Sequence, residues 1–151
     1  MLTLAASLWV FRKPSKIPLT SGDSALVTCD RLDRLRDLKY YDKNGTQGVR
    51  ISLRYPLLAG GEIVQFFDSR DRMLGQTSVT GSKLHDSFTA ESGISSAYSW
   101  RQDETGRTER IEWRDRAGAI LLREQIQIPK KGKKTRQYSA RYGVALDLSS
   151  R

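Results

Sequence analysis

The chain has 151 residues, a length typical of one domain that can bury a core without disulfides or a structural metal. Its 28% of charged residues include both signs, which argues against a disordered chain. A single cysteine excludes an intramolecular disulfide, which favours a reducing, cytoplasmic compartment.

Residues 1–22 form a basic, apolar N-terminal segment with three bases and no acid. Their apolar stretch, residues 2–11, is about half the length that a bilayer-spanning helix needs. We expect it to be a first strand or short helix. Two alternatives are an organelle-targeting segment and a membrane-surface anchor. The anchor would use Trp9, Phe11, Arg12, Lys13 and Lys16.

Residues 23–128 hold equal numbers of bases and acids, so this predicted β body is neutral. Near its start, Leu32, Leu35 and Leu38 recur at a spacing of three, behind an Asp30 that can cap a helix. This pattern predicts one short helix near residues 30–38. The leading strand of a hairpin is the alternative for the same residues.

The rest of the body reads as short strands with frequent turn signals. Residues 49–55 alternate between apolar and polar positions, and Asn44-Gly45 is a favoured hairpin turn. An aromatic residue beside an Asp and a turn recurs in three hairpins, which indicates shared turn chemistry and not a repeat family. The predicted fold is mainly β, an antiparallel sandwich or small barrel of about 7–9 strands.

Residues 129–151 carry seven bases and one acid and are predicted to be a basic loop and the final strand of the same domain. Five of the seven residues 130–136 are basic, and such a loop attracts anions. Tyrosines that follow could stack on bases. The predicted partner-binding residues are Lys130, Lys131, Lys133, Lys134, Arg136, Tyr138 and Arg141.

Residue types that carry catalysis are sparse. The one histidine, His85, precedes Asp86 and Ser87, but neighbouring strand residues point to opposite faces, so a solvated histidine is favoured over a catalytic triad. Cys29 beside Asp30 suits a buried thiol better than a nucleophile. One Cys and one His cannot build a zinc site, and no motif for a cofactor or a small-molecule substrate is present.

These observations predict a non-enzymatic binding or assembly protein whose basic C-terminal loop engages an anionic partner: RNA, DNA, a ribonucleoprotein or an acidic protein surface. One alternative is an accessory subunit or membrane-surface protein that docks through its N-terminal apolar segment. Another is a small β-barrel enzyme or an enzyme inhibitor, for which a pocket lined by two acids would be the favourable sign.

Overall fold

The strands of this chain pair largely in sequence order, each antiparallel to the next, because short turns connect them. The computed structural model describes residues 12–57 and 61–148, which contain twelve strands. The first seven form one sheet and the last five form a second. The strands are β1 (Ser15–Pro18), β2 (Ser24–Cys29), β3 (Leu35–Tyr41), β4 (Gln47–Arg54), β5 (Glu62–Phe67), β6 (Met73–Thr80), β7 (Lys83–Phe88), β8 (Ser95–Asp103), β9 (Gly106–Arg114), β10 (Ile120–Pro129), β11 (Thr135–Ser139) and β12 (Ala145–Leu146).

The two sheets pack face to face around a shared core. The ring of Phe66 in the first sheet lies 6.2 Å from that of Trp113 in the second. The indole N–H of Trp113 donates to Thr77 Oγ1 at 2.9 Å, and the Tyr40 hydroxyl donates to the Leu121 carbonyl. Each sheet keeps two edges, so the predicted mainly β, antiparallel sandwich is confirmed and the barrel alternative is not.

The predicted helix near residues 30–38 is wrong, because these residues form a hairpin turn and β3. Asp30 caps the turn, since its Oδ1 accepts from the amides of Leu32 and Arg34 at 2.9 and 3.1 Å. The pairing of β2 with β3 shifts register beside Leu35, and this bulge lets Leu35 and Leu38 both face the core although they are three positions apart. A bulge thus produced the spacing that resembled a helix.

The same turn recurs at Asp30, Asp42, Asp68 and Asp115. In each, the Asp amide donates to the carbonyl four residues later, and the amide three residues later donates back to the Asp carbonyl. The aspartate Oδ1 also accepts a hydrogen bond from the amide of the residue four positions after it. The residue three positions after the aspartate has a positive φ, whether it is Gly or Asp. This is a three-residue hairpin loop with a bulge, and it confirms the predicted turn chemistry at one more site than predicted.

The strand count exceeds the predicted 7–9. β7 lies in the polar residues 81–93, and a turn at Arg141–Gly143 divides the predicted last strand into β11 and β12. The three short helical turns, at Thr20–Gly22, Ala90–Ser92 and Arg141–Gly143, are all of the 3-10 type. The described parts of both basic ends join the sheets, since β1 pairs with β2 and β11 pairs with β10.

Candidate functional site

The loop between β10 and β11, residues 130–134, is a lysine-rich hairpin end that we call the tip. All five of its residues are exposed. The Lys130 amide donates to the Thr105 carbonyl at 3.0 Å, which holds the tip beside the β8–β9 turn. None of the ion pairs within residues 12–57 and 61–148 uses a lysine of the tip. The tip therefore presents Lys130, Lys131, Lys133 and Lys134 together to solvent.

The other three predicted partner-binding residues lie elsewhere. Arg136 and Tyr138 follow the tip on β11 but face the first sheet, and Tyr138 is only 3% exposed. Arg141 lies at the opposite end of β11, where its amide donates to the Tyr40 hydroxyl at 2.9 Å and its guanidinium approaches Asp115 at 3.7 Å. The fold thus gathers the four lysines and separates them from Arg136, Tyr138 and Arg141.

Arg136, whose side chain is 34% exposed, instead reaches toward two buried acids between the sheets. Its guanidinium lies 3.7 Å from Glu62 Oε2 and 3.8 Å from Glu124 Oε1. Glu62 is 3% exposed and Glu124 is fully buried. The hydroxyl groups of Tyr55 and Tyr138 are 3.0 Å apart beside them. We call Glu62, Glu124 and Arg136 the acid cluster.

Burial sets the protonation of the acid cluster. It raises the pKa of the Glu124 carboxyl well above the ordinary value, the nearby Glu62 carboxyl raises it further, and Arg136 offsets only part of this. Neither carboxyl oxygen of Glu124 has a hydrogen-bond partner among the described residues. Two buried carboxyls beside one cation are balanced when one carboxyl keeps its proton, so the raised pKa of Glu124 matches the geometry.

The inner face of the second sheet changes from core to surface toward the tip. Cross-strand partners form rows across β8, β9, β10 and β11. Ile111 and Glu124, which share one row, are 1% and 0% exposed, whereas Trp100, one row nearer the tip, is 54% exposed. The Ser82 hydroxyl, in the turn after β6, is 3.5 Å from Glu109 in that same row, so the first sheet covers the second only to about there.

Beyond this limit the second sheet projects as a shelf that we call the ledge, made of Trp100, Gln102, Arg107 and Ile128. The Arg107 guanidinium lies over the Trp100 ring at 4.0 Å from its centre. Ile128 of the ledge pairs with Arg107 and lies two residues before Lys130, so the ledge adjoins the tip.

A hydrogen-bond network fixes the ledge. Arg107 Nε donates to Glu109 Oε2 at 3.2 Å, and its terminal nitrogen donates to the Tyr98 hydroxyl at 3.1 Å. Tyr98 in turn donates to Glu109. Although burial raises the pKa of Glu109, the hydrogen bonds from Tyr98 and Arg107 lower it overall. Glu109 therefore stays ionised and holds Arg107 against Trp100.

Sequence reasoning missed the acid cluster and the ledge. Glu124 carried a signal, because it interrupts an otherwise apolar face of β10 and a buried charge needs a partner. Glu62 carried none, since an acid at the start of a strand is usually solvated. Trp100 carried no signal either, because its 54% exposure depends on where the first sheet ends.

The predicted anchor residues fall at the edge of the described chain. Trp9 and Phe11 lie outside the described residues, while Arg12 pairs with Asp33 at 2.7 Å and Lys13 and Lys16 are exposed. In the described residues, no helix is long and apolar enough to cross a membrane.

The residues weighed for catalysis lie apart. His85 is exposed on the edge strand β7, and Cys29 is buried in the core. No group of three or more His, Cys, Asp or Glu in residues 12–57 and 61–148 could hold a metal ion. Of the two acids in the acid cluster, Glu62 is 3% exposed and Glu124 is fully buried.

No protein-family model, curated protein or solved structure matches this chain.

Proposed function

We propose that this chain is a non-enzymatic binding protein that engages an anionic macromolecule through the tip. The observation that carries the proposal is the concentration of four exposed lysines, without an acid among residues 130–136, on one hairpin end. Many other bases of the domain are paired: Arg34, Arg50 and Arg114, for example, each contact a carboxylate within 3.2 Å.

The tip presents its charges with little loss of conformational entropy, because its backbone is already held in place. It continues two paired strands, and the Lys130 amide is tied to the β8–β9 turn. Like charges that are crowded on a short loop repel one another, and an anionic partner relieves that repulsion. Each phosphate or carboxylate that a lysine neutralises also releases counterions when the partner is a polyanion, which makes binding strongly salt-dependent.

The test is charge reversal at the tip, with Lys130, Lys131, Lys133 and Lys134 all changed to Glu. The matched control reverses four exposed bases away from the tip and so changes the net charge equally: Lys13, Lys16, Lys43 and Arg70. Binding to immobilised heparin, used as a generic polyanion, is followed by the salt concentration that elutes each protein. A pull-down from a native lysate, with and without nuclease, then identifies the partner class.

We expect the tip variant to elute at much lower salt than wild type and to lose its partner, while the control variant keeps both properties. Equal elution of the two variants would mean that only net charge matters, and this result would overturn the proposal. Circular dichroism of both variants checks that the sandwich is intact.

A further inference from the structure

We propose that the partner is single-stranded nucleic acid, held with its phosphates on the tip and a base stacked on Trp100 of the ledge. This inference rests on the proposed function and adds to it a partner class and a second contact. Its starting point is an aromatic side chain with 54% of its area exposed beside a cationic loop.

Trp100 has the geometry of a stacking platform. The guanidinium of Arg107 covers one face of the indole at 4.0 Å, and the residue is 54% exposed, so we expect the opposite face to be open to a base. Arg107 is itself held by Glu109 and Tyr98. A ring that is fixed before binding loses little conformational entropy when a base stacks on it.

The distance between Trp100 and the tip suits single-stranded nucleic acid. Trp100 lies on β8 and the tip opens β11, three strands away, and neighbouring strands are about 4.8 Å apart. Trp100 is in register with Arg136, and Lys134 lies two residues beyond it, which adds about 7 Å along the strand to about 14 Å across the sheet. The resulting separation of about 16 Å corresponds to about five stacked nucleotides at 3.4 Å each. Arg107 and Ile128 lie between the two contacts on the inner face and offer one further cation and one apolar surface.

Duplexes and acidic proteins fit this surface less well. In a duplex the bases are stacked on each other and paired, so an exposed indole can reach only their edges. An acidic protein would satisfy the lysines but offers no planar ring system for Trp100 at regular spacing. Stacking combined with a cationic groove is the usual basis of single-strand binding that tolerates many sequences.

The experiment measures fluorescence anisotropy of a labelled 12-nucleotide oligo(dT) with wild type, Trp100→Ala, Trp100→Phe and the fourfold tip variant. Loss of one base stack should weaken the Trp100→Ala complex by about tenfold or more, and Trp100→Phe should recover most of the affinity. The slope of log K against log salt should stay unchanged in Trp100→Ala, because no phosphate contact is lost, and should fall in the tip variant.

The matched control is Tyr142→Ala, which removes an aromatic residue that is 53% exposed at the far end of β11 and, within residues 12–57 and 61–148, is the one other large exposed aromatic side chain. It should bind oligo(dT) like wild type. Thermal unfolding of Trp100→Ala and Tyr142→Ala confirms that neither exposed substitution disturbs the fold.

Two further probes separate this inference from the proposed function: a 12-base-pair duplex and polyglutamate. Tip-dependent binding of oligo(dT) that Trp100→Ala leaves unchanged would overturn the stacking inference and leave the proposed function standing. Tighter tip-dependent binding of polyglutamate or of the duplex would do the same. A tip variant that binds every probe like wild type would overturn both.

Discussion

The tip lies on the β10–β11 hairpin, which also carries Glu124 and Arg136 of the acid cluster, and the surroundings give these two charged groups opposite roles. In the tip, four lysines of one sign point into solvent. In the acid cluster, Glu124 is fully buried and Glu62, from β5, is 3% exposed, while the side chain of Arg136 is 34% exposed at the border of the cluster. A few residues along one hairpin separate the two environments.

The difference shows that the dielectric environment of a charge decides whether it contributes to stability or to binding. Solvated charges on the tip contribute little to folding because water screens them, and so they remain free to act on a partner. Buried charges must be neutralised inside the fold, so each member of the acid cluster constrains the others. Mutations in the acid cluster should therefore reduce stability, whereas mutations in the tip should reduce binding.

The largest effect is expected from Arg136→Ala. It leaves two buried carboxyls without their cation. Because the Arg136 side chain is 34% exposed and lies 3.7–3.8 Å from the carboxyls, we expect a loss of about 2 kcal/mol of unfolding free energy, less than for a fully buried ion pair. Urea denaturation followed by circular dichroism measures the loss. The double variant Arg136→Ala/Glu62→Gln should recover part of it because one carboxyl is removed.

A stability of Arg136→Ala equal to that of wild type would show that the acid cluster does not depend on its cation. It would then resemble the tip, and the contrast between the two regions would fail. Arg136→Lys serves as the conservative control, since it keeps the charge but not the planar guanidinium.

The next effect, from Glu124→Gln, depends on pH: near pH 5 it is smaller than that of Arg136→Ala, and it grows as the pH rises. Glu124 has its pKa raised in the folded state, so it keeps a proton at pH values where the unfolded chain has lost it. Wild-type stability should therefore fall as pH rises above the ordinary value of 4.5, by up to about 1.4 kcal/mol per pH unit, until the folded group ionises. The glutamine variant lacks this proton and should not show that loss.

The measurement is the free energy of unfolding of both proteins at several pH values between 5 and 8. The difference should grow in favour of Glu124→Gln as pH rises. Asp37, whose pKa burial also raises, titrates in both proteins and cancels in the difference. Parallel curves would mean that Glu124 is ionised in the folded protein at all these pH values.

The smallest effect is expected from Lys133→Ala on the tip. The side chain is exposed and unpaired within the described part of the chain, so stability should change by at most about 0.5 kcal/mol. The salt dependence of polyanion binding should nevertheless fall by about 0.7–0.9 in slope for one lost phosphate contact. A large loss of stability would show that Lys133 supports the fold, which would contradict the difference drawn between the tip and the acid cluster.

Local chemistry made much of the fold predictable. Alternating apolar residues predicted strands, and aspartates followed by turn residues predicted hairpins that the structure confirms at Asp42, Asp68 and Asp115. These features depend on contacts within a few residues, which a sequence displays directly. The failure at residues 30–38 has the same origin, because a bulge changes which side of a strand a residue faces without leaving a sequence mark.

The sequence by itself determined the β class, the turns and the concentration of lysines in residues 130–134. Only the tertiary structure decided which charges meet. It brought Glu62 and Glu124 from different sheets onto Arg136, turned Tyr138 inward, and left Trp100 exposed where the first sheet ends. The physical reason is that burial and partner choice depend on how two sheets overlap, and contacts between residues far apart in the chain set that overlap.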